Sequence, residues 1–111
     1  MNFKEVQDSF FRHEEEKHKA IQETQKYFLK NKFSPYIWFD EKGRLRIKHK
    51  FQRGKSFIDI QEERRELQNV MNEFTEKYLL MIHFVHIFCE EDRKLPDHIS
   101  FQWSEEYILE V

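Results

Sequence analysis

The chain has 111 residues and a net charge of −2; 39% of its residues are hydrophobic and 36% charged. That length suits one compact domain and is too short for two separate cores, and with only two Gly and two Pro the chain is not a disordered one. A single cysteine excludes an intramolecular disulfide, and the longest apolar run, residues 78–89, falls short of the roughly 20 residues a membrane helix needs, so the expected setting is cytoplasmic with no membrane partner.

The 12 Phe, 4 Tyr and 2 Trp are the unusual part of the composition. Each buried ring removes roughly 150 to 250 Å² from water, so a few of them hold a small core together.

From Phe3 to Phe33 there is no Gly or Pro, and Phe3, Val6, Phe10, Ile21 and Phe28 recur at helical spacing. The stretch predicts a long amphipathic helix whose middle turns, Arg12 to Lys19, are charged or His and face water. Ser34-Pro35 ends it, because proline disfavours helical geometry in the residue before it. His13 and His18 are five residues apart, not the four that would aim both at one metal ion.

Tyr36 to Phe51 alternates in polarity about Asp40-Glu41-Lys42-Gly43, a type I turn signal followed by the glycine that a left-handed position wants. A β-hairpin follows, with Asp40 opposite Arg44, Phe39 opposite Leu45, Trp38 opposite Arg46, Ile37 opposite Ile47 and Tyr36 opposite Lys48. One face then collects Ile37, Phe39, Leu45, Ile47 and Phe51, and the other Tyr36, Trp38, Arg44, Arg46, Lys48 and Lys50. A slip of one residue would mix the two sets.

Asp59 followed by Glu62 has capping-box spacing and starts a second helix. Its apolar period runs from Leu67 to Phe88 without Gly or Pro, which favours one helix to about Asp92, although Ile82 to Phe88 is also rich in strand formers. Ile99, Phe101 and Trp103 alternate with polar residues and predict a strand that joins the hairpin. The expected fold is therefore α+β: two long helices packed on a small antiparallel sheet, in the order helix, β-hairpin, helix, C-terminal strand. The expected core is the apolar hairpin face, the Phe-rich helix stripes, Phe101 and Trp103.

Between Lys42 and Lys55 stand Lys42, Arg44, Arg46, Lys48, Lys50, Arg53 and Lys55 with no Asp or Glu, which leaves the rest of the chain at −9. Charge this polarised, with Tyr36 and Trp38 on the same face, suits a surface that meets phosphates and stacks on bases. It equally suits an exposed strand whose Lys and Arg prevent edge-to-edge aggregation, with Trp38 over Arg46 as a cation–π pair. Lys42-Gly43 opens like the RNA-recognition signature, but Arg44, Leu45 and Arg46 replace its aromatic and small residues, so sequence readout is not expected.

His83, His86 and Cys89, three apart on a helix, would spread over about 120° and would not converge on a metal. The chain has no Gly-rich phosphate loop, and its serines lack a nucleophile elbow. The sequence thus points away from an enzyme and calls for no cofactor. The leading expectation is a small regulator, adaptor or inhibitor that docks on a protein partner, with Tyr36, Trp38, Arg44, Arg46, Lys48, Lys50 and Arg53 as the binding surface. Sequence-independent nucleic-acid binding through the same hairpin is the alternative. A homodimer is also expected, because the second helix carries more apolar stripe than so short a chain can cover.

Overall fold

The computed structural model describes the backbone of residues 3–52, 54–95 and 98–110, and side chains over 14–52, 54–90 and 102–110. Its elements are α1 (Phe3–Lys30), β1 (Tyr36–Phe39), β2 (Leu45–Lys50), α2 (Phe57–Lys77), β3 (Met81–Leu95) and β4 (His98–Glu110). The fold is α+β, two long helices with a four-stranded antiparallel sheet in the order β1-β2-β4-β3.

The hairpin forms in the predicted register, Tyr36 opposite Lys48 through Phe39 opposite Leu45. Asp40 holds its turn: the carboxylate accepts from the Lys42 and Arg44 backbone N–H groups, both at 2.9 Å, and the Gly43 N–H donates to the Asp40 carbonyl at 3.0 Å. Gly43 has φ of 76°, the left-handed position where a side chain would be strained. Because β2 lies inside the sheet, between β1 and β4, its Lys and Arg do not guard an edge.

The second helix is shorter than its periodicity suggests. It begins one turn before Asp59, at Ser56, whose hydroxyl accepts the Asp59 N–H at 3.2 Å, and it stops at Lys77 instead of continuing to Asp92. The stop is a Schellman closure, in which the Leu80 N–H reaches back to the Thr75 carbonyl at 2.9 Å and the Leu79 N–H to the Glu76 carbonyl at 3.4 Å. This closure requires a left-handed residue, and Leu79 supplies it at φ 54°. The first helix closes in the same way on Lys32, φ 67°, with the Phe33 N–H donating to the Phe28 carbonyl at 2.8 Å. Residues past Leu80 turn to strand, where Ile82, Phe84, Val85 and Ile87 are good formers.

The core lies between the helices and the two inner strands: Phe28 and Phe33 from α1 and its closure, Leu45 and Ile47 from β2, Leu67, Met71 and Phe74 from α2, and Tyr107 and Leu109 from β4. Among the described residues the last strand contributes Tyr107 and Leu109 to this core, six residues further along than the expected Phe101 and Trp103. Trp103 is only half-buried, and the side chain of Phe101, like those of Phe3, Val6 and Phe10, lies outside the described residues. Tyr107 is buried, and burial first, with the Glu105 carboxylate adding to it and Arg64 opposing, raises its hydroxyl well above the ordinary tyrosine range.

Glu105 is fully buried and is met from α2 by Arg64, whose Nε and Nη2 each stand 3.2 Å from a carboxylate oxygen. That fork fixes the helix on β4. Beside it, Glu63 receives Lys55 at 3.1 Å and His49 at 3.3 Å, while the His49 ring packs edge-on against Phe33 and Phe51.

Candidate functional site

Opposite residues of an antiparallel pair share a face, so the register assigns every strand residue to the helix side or the open side of the sheet. Across the open side run Trp38, Arg46, Ile108 and Phe84 in one row, and Tyr36, Lys48, Glu106 and His86 in the next, with Lys50, Ser104 and Phe88 beyond. The structure thus brings Tyr36, Trp38, Arg46, Lys48 and Lys50 together on one surface, with Arg44 at the turn end. Arg53 lies outside the described residues.

Most of this basic charge has a local partner. Arg44 Nε donates to Asp40 at 2.9 Å, and Arg46 bridges two carboxylates, Asp40 through Nε at 3.1 Å and Glu106 through Nη1 at 3.0 Å. Desolvation acts to raise the Asp40 pKa, but the hydrogen bonds from the Arg44 backbone and from the Arg44 and Arg46 side chains outweigh it and hold the carboxyl at about 2. Lys48 Nζ sits 5.0 Å from the Phe88 ring centre and Lys50 Nζ 5.3 Å from that of Tyr36. A cation already facing a ring or a carboxylate is less available to a phosphate, and Asp40 and Glu106 place negative charge where an incoming backbone would lie. Sequence reasoning assigned Asp40 only to the turn and left Glu106 without a role.

The outer strand is the larger omission. Among the described residues β3 contributes nothing to the buried core, yet it exposes Met81 at 64%, Phe84 at 48%, Ile87 at 45%, Val85 at 41% and Ile82 at 36%, with Leu79 at 84% just before it. Ile82, Val85 and Ile87 lie on the helix side, opposite Leu109, Tyr107 and Glu105; Phe84, His86 and Phe88 lie on the open side. The His86 and Phe88 rings are 4.0 Å apart, and Phe84 stands 5.7 Å from His86. Both faces of one strand are therefore apolar and wet. Its other flank, away from β4, pairs with no strand among the described residues.

His83 and His86 belong to this strand and not to a helix, and His83 Nδ1 stands 2.8 Å from the Glu110 carboxylate. Among the described residues no group of three or more His, Cys, Asp or Glu is placed to hold a metal ion, and no helix is long and apolar enough to cross a membrane. No protein-family model, curated protein or solved structure matches the chain.

Proposed function

We propose that this chain is a non-catalytic protein-binding module, a small adaptor or regulator, that docks through β3. The supporting observation is the exposed apolar row from Met81 to Ile87 on an outer strand that, among the described residues, adds nothing to the core. Exposed apolar surface of this continuity marks an association site, and a strand edge supplies main-chain donors and acceptors for a partner strand while the alternating side chains supply selectivity. The hairpin, with Arg44 and Arg46 already held by Asp40 and Glu106, is the weaker candidate for contact.

A photo-crosslinking residue placed at Ile87, and in a separate variant at Lys50, distinguishes the readings. Protein adducts from position 87 in cells support docking through β3. Nucleic-acid adducts from position 50, with none of protein from position 87, would replace this reading with anion binding by the hairpin.

A further inference from the structure

The occupant of β3 can be read from the strand itself, given that β3 is the docking edge. We propose that a second copy of this chain pairs with it, β3 antiparallel to β3, about a two-fold axis at His86, to give one continuous eight-stranded sheet.

The two ends of the sheet are treated differently. β1 is four residues long and follows Pro35, the short, proline-flanked form that discourages further pairing. β3 is fifteen residues long, and from Met81 to Cys89 it contains no Lys, Arg, Pro or Gly. The other six residues of the strand include five consecutive charges, Glu90 to Lys94, so the unprotected edge is the nine residues Met81 to Cys89, and an apolar edge of nine residues still invites another strand.

Self-complementarity selects the partner and the register. With His86 opposite His86 of the other copy, Phe84 meets Phe88 on the open side and Val85 meets Ile87 on the helix side. Symmetry repeats each contact, so four apolar cross-strand pairs form from one strand. Shifting the axis to Phe88 would set the centre of the apolar row, Phe84 and Val85, against Asp92 and Glu91, whereas centring on His86 leaves apolar–acidic pairing only at the ends, Ile82 with Glu90 and Met81 with Glu91. Shifting it to Phe84 would set the register break between Ile82 and Phe84 against its own copy, where the ladder is irregular. A register that set a residue opposite its sequence neighbour would put helix-side residues of one copy against open-side residues of the other, and no closed two-fold produces it. Centring on a residue keeps both helical layers on one side and lets Ile82, Val85 and Ile87 extend the apolar surface that α2 already covers.

The 111-residue chain allows direct tests. Light scattering after size exclusion should give twice the 14.0 kDa mass of one chain, and Ile87→Lys should weaken self-association at least about tenfold while leaving the far-ultraviolet circular dichroism unchanged. The double variant His86→Cys with Cys89→Ser should form a covalent dimer on mild oxidation. The natural Cys89 should not, because in this register the two copies of it lie about 20 Å apart along the strands, at roughly 3.3 Å per residue, and a disulfide needs Cα atoms within about 7 Å. A monomer at all concentrations with no disulfide at position 86 overturns the second-copy proposal, and a Cys89 crosslink in the folded protein overturns the register. Docking through β3 on some other protein would survive the first result, provided position 87 still gave protein adducts; it fails only where those are missing too.

Discussion

Arg64→Met should be among the most damaging single substitutions outside the hydrocarbon core. Glu105 is fully buried, and its two oxygens each face an Arg64 nitrogen at 3.2 Å. Removing one partner of a buried pair leaves a charge that neither water nor protein neutralises, at a cost of about 3–5 kcal/mol. Against the 5–15 kcal/mol or so that holds a domain together, the loss is large. For a chain of this size it lowers the melting temperature by roughly 10–25 °C. Replacing both partners with apolar residues, Arg64→Met with Glu105→Leu, removes the stranded charge and should recover most of the loss, since such exchanges are often neutral. Urea unfolding at pH 7 of the parent, both single variants and the double variant gives the coupling directly. A cost below about 1 kcal/mol for Arg64→Met, the value of an exposed pair, would show that Glu105 is wet and that this fork does not fix α2 on β4.

Three other outcomes follow from the geometry. Leu79 is 84% exposed and left-handed, a conformation that costs a non-glycine residue about 1–2 kcal/mol, so Leu79→Gly should stabilise the protein by about 1 kcal/mol in urea unfolding, and Leu79→Ala should not. Asp40 is held at about 2 against an ordinary 3.8, so its hydrogen bonds add stability that is complete above about pH 4 and lost as the pH falls toward 2; Asp40→Asn should flatten that part of a thermal-stability curve measured from pH 2 to 6. The double variant Asp40→Asn with Glu106→Gln leaves Arg44 and Arg46 without carboxylates, so it should bind single-stranded DNA more tightly than the parent. Its salt dependence should steepen by about 1.4 in the logarithmic slope for two added phosphate contacts, as read by fluorescence anisotropy between 50 and 200 mM salt.

The hairpin was legible because alternation and turn chemistry agree there: Asp40 and Gly43 fix the loop, and only one register sorts Ile37, Phe39, Leu45 and Ile47 from Trp38, Arg46 and Lys48. The end of α2 was not legible, because the left-handed position that closes it carries Leu79, and leucine gives no signal there. Val70, Phe74 and Tyr78 run on into Ile82 and Val85 at a helical period, and nothing local marks the change. Only the closing hydrogen bonds of Leu79 and Leu80 show where helical geometry stops. The candidate site followed the same division. The basic residues and their shared face were readable from the strand period, whereas Glu106, sixty residues further on, reaches Arg46 only because β4 lies next to β2. The surplus of apolar residues past Tyr78 was legible, but they were read as the stripe of a helix, so their place on an outer strand was not.

That edge is also where fold and association separate. Fixing one residue's backbone costs about 1–2 kcal/mol, usually repaid by burial, but Met81 to Ile87 remain exposed and, among the described residues, a ladder holds their strand on one side alone. Net gains of about 0.5–1.5 kcal/mol for each hydrogen bond roughly balance that cost and leave little surplus. A strand added on the free side supplies a second ladder and covers apolar area on both faces, so association should stabilise β3 far more than the rest of the chain. Amide exchange makes the distinction measurable. Raising the protein concentration should slow exchange in residues 81–90 and leave Leu67 to Phe74 unchanged, because among the described residues the core that protects α2 draws on α1, β2 and β4 and not on β3. Equal slowing in both segments would mean that the core itself depends on the partner, and the separation drawn here would not hold.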